Sequence, residues 1–249
     1  MTTTPTLHQE SDPAMTEQPA LVSVRGLTVH YGSRTALDGL DLDLPGGQIV
    51  GLLGENGCGK STLMKVLAGV YADHRGEVRV AGLPLGPATK AVVSYLPDRS
   101  ALPERARVRY CLELFEDFYP DFDRAKAAEL IARFRLEEST RLEEMSKGMR
   151  EKVHIALAMA RRARVFLLDE PISGVDPAAR DGILDGILRT LDDDSLLVIA
   201  THLVHDLEPG LDSVVMMRHG RVLLTGAADE LRAEHGESLE QIFRKVYGS

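Results

Sequence analysis

The residues GENGCGKST, positions 54–62, follow the apolar run QIVGLL and lead into an amphipathic pattern that starts at Ser61. Glycines at 54, 57 and 59 let the backbone curl tightly, so successive N–H groups turn inward and form a concave nest for anions. A helix starting at once adds the positive end of its dipole. Lys60 supplies a compact cation for β- and γ-phosphates, and Ser61 a hydroxyl suited to Mg²⁺. The order strand, glycine-rich loop, helix is the setting in which such a loop binds phosphates. Gly54, Glu55, Asn56, Gly57, Cys58, Gly59, Lys60, Ser61 and Thr62 are therefore all expected at the nucleotide. Cys58 admits a redox reading, since a helix N-terminus lowers a thiol pKa. The simpler reading is a small side chain where bulk would block phosphate.

The rest of the chain keeps the alternation of strand and helix. RVFLLDE, SLLVIATH and SVVMMRHG are almost wholly apolar, the pattern of parallel strands buried on both faces. Between such runs, Leu63, Val66, Leu67 and Val70, and again Leu184, Ile187, Leu188 and Leu191, recur with helical spacing. The expectation is an α/β fold around a mostly parallel sheet. LVSVRGLTVHYG, from Leu21, alternates like an early, half-exposed strand of an antiparallel N-terminal part. Residues from about 101 to 163 break the rhythm; with Ala127, Leu130, Ile131 and Phe134 on one face they predict an inserted helical subdomain. MMRHGRVLLTG predicts a hairpin turning at His219 and Gly220. ESLEQIFRKVYGS predicts a last helix, packed on the sheet or on a partner. Residues 1–20 are polar and rich in Thr and Pro, an expected disordered tail, which leaves 21–249 as one domain.

Bulk properties exclude several function classes. A net charge of −9 argues against a broad nucleic-acid surface, which needs a basic face. Two cysteines make no disulfide framework and suit a reducing compartment. The first basic residue is Arg25, so the start lacks the charged region of a secretion signal. No apolar run nears the roughly 18 residues of a membrane span. The expected place is the cytosol, with any membrane role exercised through a partner.

VFLLDE ends on Asp169 and Glu170. Adjacent carboxylates at a strand end point different ways and can divide the work. Asp169 would hold Mg²⁺ directly or through water, while Glu170 would align an attacking water and take its proton. ISGVDP and THL follow where further active-site loops are expected, and His202 can contact a γ-phosphate. His202 with His205 supplies too few ligands for zinc.

Together these segments resemble the ATP-binding cassette family, the nucleotide-binding subunits of ABC transporters, from Leu21 to about Gly226. GENGCGKST matches the family's Walker A loop, VFLLDE its Walker B strand, SGVD its D-loop and His202 its switch histidine. The resemblance implies that Tyr31, in VHYG, stacks on adenine, that Asp176 lies by the nucleotide, and that ATP is hydrolysed with Mg²⁺. MSKGM, residues 145–149, stands where the family has its signature sequence. Taken alone MSKGM reads as a helix cap. In the family two cassettes pair head to tail, which implies that Ser146 and the N–H of Gly148 reach ATP held by a second cassette. The resemblance also implies an integral membrane permease encoded separately, with this chain peripheral on the cytoplasmic face.

Three positions depart from the family. Lys147 replaces the usual glycine and Met149 the usual glutamine; the cation either reinforces the phosphate contact or sits in solvent. Asp98, in SYLPD, stands where the family commonly has a glutamine that touches Mg²⁺ and passes motion to the membrane subunit. A carboxylate ligates Mg²⁺ well, but a bare γ-phosphate repels it by about 3 kcal/mol per unit charge at roughly 5 Å and an effective dielectric of about 20. Asp98 is thus expected to engage only through the metal or a water. The segments around SYLPD and MSKGM look most like bacterial exporter ATPases of the ABC-2 kind, including those of antibiotic and antimicrobial-peptide resistance. Cassette proteins of DNA repair carry long insertions, translation factors carry two cassettes, and small-molecule kinases lack MSKGM, SGVD and His202 together. The remaining rival is a cassette for an importer or a non-transport membrane process. Pairing with a second copy or with a different cassette stays open.

Overall fold

The computed structural model describes residues 20–99 and 102–248. The expected tail therefore lies outside the described residues except for Ala20, which already starts a strand. The chain runs through β1 (Ala20–Tyr31), β2 (Arg34–Pro45), β3 (Gln48–Leu53), α1 (Lys60–Leu67), β4 (Arg75–Val80), β5 (Leu83–Pro84), α2 (Pro87–Val92) and β6 (Val93–Leu96). Three helices follow: α3 (Val108–Phe118), α4 (Arg124–Arg133) and α5 (Lys147–Met159). The chain then returns to strand and helix with β7 (Val165–Asp169), α6 (Pro177–Leu188), β8 (Leu196–Thr201) and α7 (Val204–Leu207). It ends with β9 (Ser213–Arg218), β10 (Arg221–Ala227), α8 (Ala228–His235) and α9 (Leu239–Tyr247).

Two sheets form among the described residues. One is antiparallel, in the order β2-β1-β4-β5, and the other runs β10-β9-β3-β8-β7-β6, parallel except for the β9/β10 hairpin. In β1 the alternation predicted from Leu21 slips at Arg25 and Gly26. A register shift between Val24 and Leu27 lets both, three residues apart, face the core. The apolar runs behave as their composition demands, with every residue of β7 and β8 buried. Period-two alternation divides them between two cores. Val165 and Leu167 join the cluster shared with α1 and the antiparallel sheet, while Phe166 and Leu168 join the cluster shared with α3, α4 and α5.

Parallel register then sets the site. Leu53 pairs with Thr201, and Asp169 with Ala200, so β3, β7 and β8 end at one edge. Ligands bind outside the carboxyl ends of strands in such sheets. Asp169 shares the face of Val165 and Leu167, towards α1, and Glu170 begins the exit from the strand in another direction.

The segment expected to be helical contributes α3, α4 and α5. Ala127, Leu130, Ile131 and Phe134 are buried together, and Asp123 caps α4 by accepting from the N–H groups of Ala125 and Lys126. A buried arginine fastens this region to β6. Arg161 donates to both carboxylate oxygens of Asp121 at 3.0–3.2 Å and to the carbonyl of Val93 at 2.6 Å, with its guanidinium 4.2 Å from the Tyr119 ring. Arg161→Ala strands that carboxylate and carbonyl, at a cost of about 3 kcal/mol. For a chain of this size that lowers Tm by about 6–12 °C in thermal denaturation; a fall of only a degree or two would deny the clamp its weight.

Two helical predictions run too far. α1 ends at Leu67 because Gly69 takes a left-handed φ of 65° and the N–H groups of Val70 and Tyr71 both fold back to the carbonyl of Lys65. Val70 is thereby carried off the apolar face and is 65% exposed. α6 likewise ends at Leu188, short of Leu191, and among the described residues its buried hydrophobic side chains are Ile183 and Ile187. The hairpin turns at His219 and Gly220 as expected, with φ of 50° and 78°, both left-handed. α9 packs within the chain: Tyr247 donates its hydroxyl to the carbonyl of Met217, at the end of β9. No helix among the described residues is long and apolar enough to cross a membrane.

Candidate active site

A cavity of about 690 Å³ opens at the shared strand edge, lined by Tyr31, Arg34, Asn56, Lys60, Asp98, Glu170 and His202 among others. Six residues of the phosphate loop, Asn56, Gly57 and Gly59 to Thr62, line it. Gly59 has a φ of 117°, and a Cβ there would lie 2.7 Å from the carbonyl oxygen of Ala36, so only glycine fits. Gly54 is required for a different reason, close approach, because a Cβ would meet Cys58 Sγ at 2.5 Å and the Met217 carbonyl at 2.7 Å. Gly57, Thr62 and Ser61 line the cavity, whereas Gly54, Glu55 and Cys58 do not. The Cys58 thiol packs beneath the loop, and burial pushes its pKa up rather than down. That placement suits the small-residue reading and removes the electrostatic basis of the redox one.

Lys60 is buried, and its Nζ donates to the carbonyls of Gly54 at 2.6 Å and Glu55 at 3.2 Å. The ammonium is thus held against the loop that it serves, without a carboxylate partner among the described residues. Ser61 Oγ donates to Asp169 Oδ1 at 3.1 Å across 108 residues of sequence. Asp169 is buried, and desolvation raises its pKa above the usual carboxylate range; Asp98 and Glu170 add to the rise while Ser61 and Lys60 oppose it. A buried carboxylate and a hydroxyl side by side are oxygen ligands of the kind that Mg²⁺ takes.

Glu170 sits at the first turn after β7 with a φ of 53°, a sparsely populated conformation for a side chain of its size. Its N–H bonds the Ala200 carbonyl, its Oε2 accepts from Thr201 Oγ1 at 3.2 Å, and its Oε1 lies 2.9 Å from His202 Nδ1. The end of β8 therefore holds the carboxylate that β7 presents. His205, by contrast, pairs with Glu240 at 3.6 Å, away from His202's partner.

Tyr31 and Arg34 pair across the β1/β2 turn. The Tyr31 ring is 43% exposed at the cavity mouth and is backed by Tyr71 at 5.1 Å between centroids. Arg34 Nη2 donates to the Gly57 carbonyl at 3.0 Å. Arg34 and Tyr71 went unremarked in the sequence because neither belongs to a spaced motif; strand pairing and ring packing bring them in. Ser173 and Thr201 lay inside SGVD and THL without a role of their own, and the structure places Ser173 at the cavity and Thr201 on Glu170.

Ser146, Gly148 and Asp176 do not line this cavity. They border a separate groove of about 300 Å³ with Lys147 and Gly174. Ser146 caps α5, its Oγ accepting from the Met149 N–H at 3.2 Å, so the cap read from MSKGM alone is real.

A phosphate loop, a carboxylate pair and a parallel sheet so arranged define a P-loop nucleoside triphosphatase. The family model described as ABC transporter matches residues 37–173, more than half of the chain. The chain belongs to the ABC transporter family, as its ATP-binding cassette, an ATPase subunit of a transporter. The daunorubicin resistance ATP-binding protein DrrA3 of Streptomyces coeruleorubidus is 33% identical over 90% of this chain and 74% of its own length. The Nod factor export ATP-binding protein I of Rhizobium sp. (strain N33) is 28% identical over 86% and 73%. The sulfate/thiosulfate import ATP-binding protein CysA of Burkholderia mallei is 34% identical over 83% of this chain, which spans only 62% of it. Among solved structures, the ATP binding subunit of an ABC transporter superposes with a TM-score of 0.80 at 28% identity, covering 90% of this chain and 98% of that one. The fold is therefore the family's cassette, with an antiparallel N-terminal part and an inserted helical region.

Proposed function

We propose that the chain hydrolyses ATP as one half of a head-to-tail pair, and that the pair powers a separately encoded membrane permease, as an exporter, from the cytoplasmic face of the membrane. The observation that carries this reading is the division of the site. The cavity around Lys60 and Glu170 and the groove around Ser146 share no residue, so one copy's signature groove is separate from its own triphosphate pocket. A second copy, inverted, brings Ser146, Gly148 and Asp176 to the first copy's nucleotide and receives the same in return.

Within each pocket the residues divide the work. Tyr31 stacks on adenine, the loop N–H groups and Lys60 hold the phosphates, and Ser61 and Asp169 hold Mg²⁺. When bound, the metal neutralises charge on the phosphate oxygens. Glu170 takes the proton of the attacking water, positioned by Thr201 and His202. With Nδ1 turned to Glu170, the second ring nitrogen of His202 is left for the γ-phosphate. Asp98 lines the same cavity, where its carboxylate would support the metal only indirectly, as an oxygen ligand's neighbour rather than a contact to the γ-phosphate. Asp98→Ala should leave ATP affinity within about twofold yet slow turnover or its coupling to transport by about 10- to 100-fold, the size of effect seen when the support of a metal's ligands is lost. Nucleotide titration beside steady-state hydrolysis and a transport assay checks this, and unchanged turnover and transport would remove Asp98 from the mechanism.

Export is favoured by the Nod factor relative, an export ATP-binding protein. Import is favoured by CysA, a sulfate/thiosulfate import ATP-binding protein. Co-purification of the chain with its membrane partner, followed by transport in inverted and right-side-out vesicles, separates the two. The pairing itself is tested by ATP-dependent dimerisation in sedimentation velocity: a strictly monomeric chain with full turnover at every dilution would overturn it.

A further inference from the structure

The groove beside Ser146 holds an arrangement that the paired-site reading does not use. Lys147, the first residue of α5, lays its side chain across Gly174. A Cβ built at residue 174 would fall on Cδ, Cε and Nζ of that lysine, so a side chain there would displace the lysine's flexible far end from the loop. One residue further along each segment, Val175 packs on Gly148, 3.8 Å from the position a Cβ would take there. The start of the signature helix and the loop after Glu170 are thus in contact at two successive positions. The same loop is bound at its beginning to the catalytic strand, since the Ser173 N–H bonds the Glu170 carbonyl at 3.2 Å. At its far end Arg180 Nε donates to the Val175 carbonyl at 3.2 Å and pairs with Asp206.

Among the described residues, Lys147 forms no ion pair and no hydrogen bond. Its ammonium therefore does not explain its position, whereas its long methylene stem, lying over a residue without a side chain, does. Both partners are needed: a shorter residue at 147 leaves the loop uncovered, and a larger one at 174 lifts the lysine off.

We infer that Lys147 and Gly174 form a matched clasp, in which Lys147 acts as a positioning residue that ties the signature helix to the loop leading from Glu170, so that the two surfaces offered to the second copy stay in register. The inference rests on the head-to-tail reading. Closing of the pair on ATP then transmits to each copy's own Glu170 through Gly174 and Ser173.

A double-mutant cycle tests it in the Glu170→Gln protein, with MgATP as the ligand and half-maximal dimer formation in sedimentation velocity as the readout. Lys147→Ala and Gly174→Ala should each raise the ATP concentration for half-dimerisation by about tenfold, or ~1.4 kcal/mol of coupling. The double variant should be no worse than either alone, because each change undoes the same contact. Gly174→Ala should keep its full cost beside Lys147→Met, which retains the apolar stem without the charge. ATP affinity of the monomer, measured below the dimerising concentration, should stay level in all of them. Additive losses in the double variant, or a Gly174→Ala chain that dimerises like its parent, would sink the clasp and leave the pairing intact. Loss of the cost in Lys147→Met would assign the lysine to phosphate through its charge instead. A Glu170→Gln parent that never dimerises would sink the underlying reading.

Discussion

Glu170→Gln should reduce ATP hydrolysis by about 10²- to 10⁴-fold, the usual contribution of a positioned general base, while ATP continues to bind. The amide can keep the acceptor contact with Thr201 that holds the carboxylate now, but it cannot accept the water's proton. Two outcomes should therefore separate in one protein: single-turnover hydrolysis collapses, and an ATP-loaded dimer accumulates in sedimentation or size-exclusion measurements. The geometry makes the substitution specific. The left-handed φ of 53° belongs to the backbone and is met equally by Glu or Gln, so the fold should melt within about 2 °C of the parent. A Glu170→Gln chain that turns over ATP at the parental rate would falsify the assignment of the base.

Lys60→Ala should weaken ATP binding by about 10²- to 10⁴-fold. Hydrogen bonds to charged groups contribute roughly 1.5–3 kcal/mol each, and the ammonium is expected to serve two phosphates. Part of the loss arises before nucleotide arrives. Lys60 Nζ bonds the carbonyls of Gly54 and Glu55 across the inside of the loop, so its removal also loosens the nest of N–H groups. Fluorescent-nucleotide titration measures the effect directly, and retention of affinity within about threefold would mean that the backbone alone holds the phosphates. Stacking on Tyr31 offers less, about 1–3 kcal/mol, and any base can supply the π-face, so discrimination among nucleoside triphosphates should be modest.

Much of this architecture was legible because local chemistry repeated itself. QIVGLL, VFLLD and SLLVIA read as buried strands from their apolar continuity, and each is one. His219 and Gly220 announced their turn through the residue types that tolerate positive φ. Where the reading erred, local helix termination won: Val70 and Leu191 kept helical spacing beyond the point at which the backbone had already turned away. Arg34 and Tyr71 were silent because strand register and ring packing, rather than sequence spacing, bring them to Tyr31.

The residues alone determined the phosphate loop, the adjacent carboxylates and the alternation that builds a parallel sheet, since each depends on backbone freedom, charge or periodicity within a few positions. The structure alone decided which distant groups meet. Ser61 reaches Asp169, His202 reaches Glu170, and Lys147 lies over Gly174. Those meetings depend on how strands separated by tens of residues align their ends, and the energy that sets this alignment comes from burying two cores at once rather than from any one segment.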